Sequence, residues 1–237
     1  MQLRKVSVVQ MAKSSKAKAA PRKAVPARPK YSQPVSERGQ RSREMLLKAA
    51  EEVFGEQGYH DASIVEIVRR ADVAHGTFYT HFESKHAIFV EILRSLNHLI
   101  RSRSQAAAAT AENFIEAEER GFRAFFDLVR ERPNIHRLIS EAEFVDPKLW
   151  REHYTKICNN WAKRISTSLN AKGKQELDVE AISYCLFGIA ALATIRWPYW
   201  TGGPIPPKVL RSVLLFIENG MGPYLNDSAK SRKKSAH

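Results

Sequence analysis

Apolar residues recur at every third or fourth position along almost the whole chain beyond residue 37. This spacing follows the 3.6-residue period of an α-helix that buries one face, whereas a half-buried strand alternates apolar and polar residues. The sequence has no alternating run bounded by turn residues. The pattern therefore predicts an all-α protein.

Residues that favour helix ends mark the bounds of the first two helices. The first is expected over about residues 40–57, with an apolar face from Leu46 to Phe54, and it stops at Gly58. Ser63 begins a second helix of about eight residues. Its hydroxyl can accept from the amide of Glu66 while the Glu66 carboxylate returns to Ser63, which is a capping box.

A break at residues 72–74 separates the second helix from a third short helix over residues 75–82. Ser84 is placed to cap a fourth helix over residues 85–103, which the small residues 104–111 extend or follow as a hinge. Two short helices joined across a three-residue break are typical of a helix-turn-helix.

The outer face of the third helix is polar, as a helix that enters the major groove of DNA requires. Gly76 lets the backbone approach a duplex, and Thr77 can donate to a base edge or contact a thymine methyl group. Tyr79, His81 and Lys85 are long enough to reach phosphates. The polar positions are His75, Gly76, Thr77, Tyr79, Thr80 and His81.

The pattern leaves a second interpretation open. Short helical pairs with polar outer faces also occur in proteins that never contact DNA, and residues 37–85 carry seven basic residues against nine acids. Periodicity alone therefore favours neither interpretation.

Residues 41–92 resemble the DNA-binding domain of TetR-family transcriptional regulators. The first helix ends in Phe-x-x-x-Gly-Tyr, and the second has the form Ile-x-x-Ile. The specific signal is the run over residues 76–85, Gly-Thr-Phe-Tyr-x-His-Phe-x-Ser-Lys. Beyond this segment only the all-helical profile is shared.

The resemblance implies DNA contacts at matching positions. Those expected on bases are His75, Gly76 and Thr77. Those expected on the sugar–phosphate backbone are Ser63, Tyr79, His81 and Lys85. Arg41, placed before the first helix, would reach a phosphate or the minor groove.

Three positions depart from the family pattern and bear on which operator is bound. Asp72 stands in the turn where glycine is common, and Ala74 stands at the N-cap where serine or threonine is common. Alanine cannot cap a helix through its side chain. His75 stands where a basic residue is common.

Five further helices are expected behind these four. Their approximate bounds are 112–131, 134–144, 147–171, 178–197 and 206–221. Proline or glycine ends most of them, and Gly173 is expected to end the third. Together they can enclose one core.

Aromatic residues concentrate on these helices. They can simply form the core, but the resemblance implies a domain that binds a small, apolar or planar effector. The candidate ligand-binding residues are Phe122, Phe125, Phe126, Trp150, Tyr154, Trp161 and Phe187. Arg123 and His153 are candidates to meet a carboxylate or phosphate, unless solvent surrounds them.

The last two helices are candidates for a dimer contact. Residues 181–195 are apolar nearly all round, so that helix is expected to be buried on most sides. The last helix has one apolar stripe, formed by Leu210, Val213, Leu214, Ile217 and Met221. Both helices can be buried in their own subunit or form half of a four-helix bundle across a two-fold axis. A helix-turn-helix favours the dimer, because such modules usually bind palindromes in pairs.

The net charge of +13 belongs almost entirely to the two ends of the chain. Residues 1–36 carry +9 and no acid, and residues 226–237 carry +3. Both are predicted to be disordered basic tails, either solvated or attracted to phosphates. Between them lie a DNA-binding domain, residues 37–84, and an effector-binding and dimerisation domain, residues 85–225.

Other classes of protein are not supported. The chain has no Gly-rich phosphate loop, H-E-x-x-H or G-x-S-x-G motif, and no enzyme, metal or cofactor is predicted. Cys158 and Cys185 are expected in the core as reduced cytoplasmic thiols. The longest apolar run, residues 185–195, is too short for a membrane helix, and the N-terminus lacks the apolar segment of a secretory signal.

The sequence and the family resemblance thus predict a cytoplasmic, homodimeric transcriptional repressor, which binds double-stranded operator DNA and is released by a small-molecule effector. Two alternatives stay open. One is a nucleic-acid-coating protein without sequence preference, driven by its basic tails. The other is a ligand-binding helical bundle whose DNA-binding domain is vestigial.

Overall fold

The computed structural model describes residues 36–226, and the expectations for both basic tails fall outside that range. Ten α-helices follow one another along it. They are α1 (Glu37–Gln57), α2 (Ile64–Arg70), α3 (His75–His81), α4 (Lys85–Ala108), α5 (Phe114–Glu131), α6 (Asn134–Val145), α7 (Pro147–Ser168), α8 (Ala171–Glu176), α9 (Val179–Thr194) and α10 (Pro207–Met221). A π-helical turn, Ile195–Tyr199, continues α9, and a 3-10 turn, Gly222–Tyr224, follows α10. The predicted all-α fold, with an N-terminal helix-turn-helix and a C-terminal helical domain, is confirmed.

The N-terminal domain closes around side chains that solvent does not reach. Phe54 of α1, Ile67 of α2 and Phe78 of α3 are each 0 % exposed. Phe89 of α4 joins them, with its ring edge-on to that of Phe54 at 5.4 Å between centroids. The first turns of α4 therefore belong to the core of the helix-turn-helix.

The helix starts confirm most of the expected caps. The hydroxyls of Ser63 and Ser84 accept from the backbone amides three residues ahead, each at 3.1 Å. Ala74 provides no side-chain cap for α3, as expected. The second half of the predicted capping box was wrong, because the Glu66 carboxylate accepts from Arg69 instead, at 2.8 Å and 2.7 Å.

Two turns set the angles between these helices. Gly58 ends α1 with φ at +86°, a left-handed conformation that a side chain would strain. Asp72, in the turn between α2 and α3, has φ at +53°. Aspartate tolerates this conformation better than most residues, so it can stand where the family often has glycine.

The structure differs from the sequence prediction at three helices. Ser36 caps α1, so this helix begins at Glu37 and contains Arg41 instead of following it. Helix α4 continues through residues 104–108, which rules out a hinge there. Gly173 lies inside a separate helix, α8, because the chain turns after Ser168 and pairs with the segment after α10.

The apolar stripe of α10 faces its own subunit: Leu210, Ile217 and Met221 are buried. Helix α9 does not meet the expectation of burial on most sides. Tyr184 is 41 % exposed, Leu192 is 68 % exposed, and Cys185, expected in the core, is exposed as well.

Helix α9 and the π-helical turn together form a segment of 21 residues, Val179–Tyr199. By length and composition this segment is apolar enough to cross a membrane, although the uninterrupted apolar run considered in the sequence is shorter. Core helices of globular proteins meet the same criterion, so the finding is weak evidence for a membrane span. Here 28 % of its most apolar stretch is buried in the subunit.

Candidate DNA-binding surface and ligand cavity

Helix α3 presents a polar, accessible face over an apolar base. Phe78 and Phe82 anchor the helix inward, at 0 % and 3 % exposure. On the opposite side His75, Gly76, Tyr79 and Thr80 are exposed, while Thr77 and His81 are half-buried. The residues predicted to contact DNA on this helix are therefore presented together.

Gly76 leaves the start of α3 open. A Cβ atom built at this position would meet nothing within 4 Å. The protein's own packing therefore does not require glycine here, which is consistent with a close approach from outside. Arg41 on α1 and Ser63 before α2 are also exposed.

Lys85 is held more firmly than the other predicted contacts. Its ammonium donates to the carbonyl oxygens of Tyr59 at 2.7 Å, His60 at 3.1 Å and Ala62 at 2.7 Å. It also lies 4.6 Å from the centre of the Tyr59 ring. In this arrangement Lys85 fixes the start of α4 to the corner between α1 and α2.

Helix α6 clasps the C-terminal end of α1. The Arg137 guanidinium donates to the carbonyls of Glu56 at 2.8 Å and Gly55 at 3.2 Å, which no longer have partners within α1. Glu141 pairs with Arg137 and accepts from the amide of Tyr59 at 2.6 Å. Arg132 adds an ion pair to Glu51 of α1. The sequence pattern gave no signal for this clasp, because its partners lie about eighty residues apart.

A small cavity of about 40 Å³ lies among α4, α5, α7 and α9. Four of the seven predicted ligand residues line it, namely Phe122, Phe125, Trp161 and Phe187. The other three form a layer outside it. Phe126 stacks on Phe122 at 5.8 Å, Tyr154 meets Phe187 edge-on at 4.9 Å, and Trp150 lies against Tyr154 at 4.8 Å.

The cavity wall also contains an ion pair that the sequence analysis missed. Glu118 is only 1 % exposed. Its carboxylate accepts from the Arg164 Nε at 3.0 Å and from the Trp161 indole at 2.9 Å. Burial raises the pKa of Glu118, while the Arg164 charge and the two donors act in the opposite direction. Glu118 lies on the inner side of α5, whereas the neighbouring Glu116 and Glu119 form ion pairs with Arg120 and Arg123 of the same helix.

The two residues proposed to meet an anion lie elsewhere. Arg123 is exposed and pairs with Glu119 on the outer face of α5, at 2.8 Å. His153 is buried and its Nδ1 lies 3.1 Å from the Asn97 amide nitrogen. Neither residue lines the cavity.

A polar chain connects α7, α4 and the cavity. The Asn97 amide donates to the His153 carbonyl at 3.0 Å, and its oxygen accepts from the Arg101 Nε at 2.9 Å. Because this contact orients the amide, the His153 Nδ1 is an acceptor and the ring is neutral. Burial lowers the pKa of His153 to about 4. Arg101 lines the cavity at the other end of the chain.

These features define a class of protein, the helix-turn-helix DNA-binding proteins. In this one the long helix α4 joins the DNA-binding domain to a helical domain with a cavity. The comparisons with known proteins make the class specific. The family "Bacterial regulatory proteins, tetR family" matches residues 46–92, which span α1 to the middle of α4.

The HTH-type transcriptional regulator YdgC of Bacillus subtilis is 27 % identical over 80 % of this chain and 97 % of its own length. The transcriptional activator FasR of Mycolicibacterium smegmatis is 36 % identical over 44 % of this chain and 47 % of its own length. The structure of the fatty acid degradation regulator FadR from Bacillus halodurans has a TM-score of 0.64 at 19 % identity, over 74 % of this chain and 94 % of that one. At that identity the likeness concerns the fold.

Residues 46–92 therefore form the DNA-binding domain of a TetR-family transcriptional regulator. That family consists of regulators rather than enzymes.

Proposed function

We propose that the chain is a homodimeric repressor that binds a palindromic operator in the cytoplasm and leaves it when a small apolar or aromatic ligand fills the cavity. The observation that carries this proposal is the exposed polar face of α3 on a firmly anchored base. A helix of this kind can enter a major groove and expose side chains to base edges.

The contacts proposed for α3 are of two kinds, those to bases and those to the sugar–phosphate backbone. His75, Gly76 and Thr77 at its start would face bases. Tyr79, Thr80 and His81 would face the backbone, with Ser63 and Arg41 on neighbouring helices. Lys85 is proposed for a phosphate as well, and that role competes with the three carbonyls that its ammonium contacts here.

Dimer formation is supported by apolar residues that one subunit leaves uncovered. Leu192 on α9 is 68 % exposed and Phe216 on α10 is 71 % exposed. Tyr184 on α9 and Leu215 on α10 are 41 % and 46 % exposed. A monomer rarely leaves several large apolar side chains of successive helices in water. We place the two-fold contact on this α9–α10 face, defined by Tyr184, Leu192, Leu215 and Phe216.

Control by a ligand is supported by the path of α4. At its start Lys85 ties it to the helix-turn-helix, and further along Ile100, Arg101 and Ser104 line the cavity. A ligand that favours another position of α4 would change the separation of the two α3 helices in the dimer. It can shift the equilibrium only by its difference in affinity for the two arrangements.

Selection of bound sequences from a random DNA pool tests the proposal, with the full chain and a form that begins at residue 37. We expect a palindromic consensus from both proteins, with half-sites about 34–36 Å apart or a multiple of that distance. A nucleic-acid-coating protein would enrich nothing, and its binding would disappear with the basic N-terminal segment. A vestigial domain would enrich nothing with either protein.

The sign of regulation is tested in cells with a reporter placed behind the selected site. A repressor raises reporter output when the gene is deleted. The FasR relative is described as an activator. A fall in output on deletion would assign that sign to this chain.

A further inference from the structure

Helix α3 contains no lysine or arginine, although it carries most of the residues proposed to contact DNA. The C-terminal end of a helix also bears a partial negative charge, which disfavours a phosphate beside it. Contacts between cations and phosphates supply a large part of the affinity of a protein for DNA. A phosphate next to the end of α3 therefore needs a cation from another element.

Seven basic side chains lie on α1, on α2 and at the start of α4, and four of them are engaged elsewhere. Arg69 and Arg70 both pair with Glu66 on α2, at 2.7 Å and 3.4 Å. The Lys85 ammonium donates to three backbone carbonyls, and Lys48 lies in a groove against the corner between α5 and α6. The other three lie in the first two turns of α1 and are Arg38, Arg41 and Arg43.

Of these three, Arg43 reaches the end of α3. Its guanidinium carbon lies 5.1 Å from the centre of the Phe82 ring, and Phe82 directly follows His81. Its Nη2 forms an ion pair with Glu91 of α4, while its Nε and Nη1 have no partner within residues 36–226. The side chain is 27 % exposed. A guanidinium that is held in place and keeps free donors at the surface is suited to a phosphate, whose geometry it matches.

His81 can supply a hydrogen bond at this place but no charge. It is half-buried, and burial together with the nearby charge of Arg43 lowers its pKa below the usual value. The ring is therefore neutral near pH 7, with one nitrogen that donates and one that accepts. A phosphate beside His81 would thus meet its positive charge at Arg43.

We propose that Arg43 binds the DNA phosphate next to the C-terminal end of α3, with Glu91 and Phe82 holding its guanidinium in place. This inference rests on the proposed function and adds a contact that the spacing of apolar residues does not indicate. A phosphate contact fixes the position of a protein on the duplex but carries no sequence information. Arg43 therefore sets affinity, whereas the start of α3 sets the preference among sequences.

The salt dependence of DNA binding tests this contact. Fluorescence anisotropy measures the affinity of the full-length protein for the selected operator and for a scrambled duplex, between about 50 and 300 mM potassium chloride. Arg43→Gln should weaken binding of both duplexes about 10- to 100-fold. It should also reduce the slope of log affinity against log salt concentration by about one for each bound subunit. The preference between the two duplexes should change less than about threefold, because a phosphate contact acts on both.

A second variant separates a phosphate contact from a merely structural role. Glu91→Gln removes the ion-pair partner of Arg43 and frees its Nη2. If Arg43 binds a phosphate, this variant should bind DNA as tightly as the wild type or more tightly, because a nearby negative charge is gone. If Arg43 only ties α1 to α4, Glu91→Gln should weaken binding as much as Arg43→Gln does.

Arg103→Gln is the matched control. Arg103 also pairs with a glutamate of another helix, Glu131 of α5, at 2.5 Å. It lies about 27 Å along α4 from Lys85, at a rise of about 1.5 Å per residue. Its replacement should change neither the affinity for DNA nor the salt slope.

Weaker binding and a smaller slope in Arg43→Gln, without a loss in Glu91→Gln, would support the contact. An unchanged slope in Arg43→Gln, or equal losses in the two variants, would overturn it. Urea denaturation shows whether each variant is folded, and if Arg43→Gln is not, weaker binding by folded Glu91→Gln overturns the contact by itself. A wild type without operator preference contradicts the proposed function, whereas operator preference with an unchanged slope in Arg43→Gln contradicts this contact alone.

Discussion

At Gly76 the stability of the folded protein favours alanine, whereas the proposed contact with DNA favours glycine. Its Cβ position is empty, and alanine is the better helix former. Gly76→Ala should therefore leave the free energy of unfolding unchanged or raise it by up to about 1 kcal/mol. The added methyl group should nevertheless lower operator affinity at least tenfold, because it stands where the duplex backbone approaches.

Urea denaturation and fluorescence anisotropy on the selected operator check the two parts of this prediction. Gly222→Ala is the control, since a Cβ there also meets nothing within 4 Å and the position lies after α10. If Gly76→Ala binds the operator as well as the wild type, close approach at α3 is wrong.

His153 gives the stability a pH dependence of known sign. Its pKa is about 4 in the folded protein, against 6.5 when the ring is free in solution. The unfolded chain therefore binds the proton first, and stability present above pH 6.5 is lost as the pH falls towards 4. The loss amounts to about 3 kcal/mol, at about 1.4 kcal/mol for each unit of pKa difference.

Urea unfolding curves between pH 7.5 and 4.5 measure this dependence. His153→Gln keeps a polar side chain but cannot be protonated in this range. Its stability should fall less steeply with acid than that of the wild type. Parallel curves for the two proteins would show that the imidazole is not held neutral by burial.

At the scale of single elements, the clasp between α6 and α1 holds the two domains in one arrangement. Arg137→Gln removes the donor to two terminal carbonyls of α1 and leaves Glu141 without its ion-pair partner. We expect a loss of about 1–3 kcal/mol in the free energy of unfolding. Operator affinity should also fall, because the orientation of the helix-turn-helix becomes less fixed.

Arg130→Gln is the matched control for the clasp. Arg130 pairs with Asp127 of its own helix on an exposed surface, where an ion pair contributes little. Its removal should change the stability by less than about 0.5 kcal/mol. A similar loss in both variants, measured by chemical denaturation, would contradict a special role for Arg137.

Elements with a local signal could be predicted from the sequence. Ser63, Ser84 and Gly58 mark helix ends because capping involves only neighbouring residues, and the period of apolar residues gives each buried face. Helix α8 was missed because the pairing of Leu169 with Leu225, distant in sequence, turns the chain after α7. The inward side of Glu118 was missed for the same reason, since its partners Trp161 and Arg164 lie on another helix. Four of the seven aromatic residues proposed for ligand binding line the cavity, because periodicity finds the apolar side of a helix but cannot separate a cavity wall from the layer behind it.

At the scale of the whole molecule, the proposed regulator consists of two copies of the chain. Leu192→Glu or Phe216→Glu would place a charge on the α9–α10 face and should raise the dimer dissociation constant at least 100-fold. Phe144→Glu is the matched control, since Phe144 is 80 % exposed on α6, outside that face. Sedimentation velocity across a concentration series measures the dissociation constants of the wild type and the three variants. Equal dissociation constants for the three variants, or a monomeric wild type, would contradict the proposed interface.

The most direct test of the central claim is the ratio of affinities for the selected operator and a scrambled duplex, measured at one salt concentration for the full-length wild type and Thr77→Ala. We expect the wild type to prefer the operator by about 10³-fold or more. Thr77→Ala should reduce that preference about 5- to 150-fold while binding the scrambled duplex as before, because a base contact supplies specificity and phosphate contacts do not. A preference that is absent in the wild type, or unchanged in Thr77→Ala, would contradict sequence reading by the start of α3.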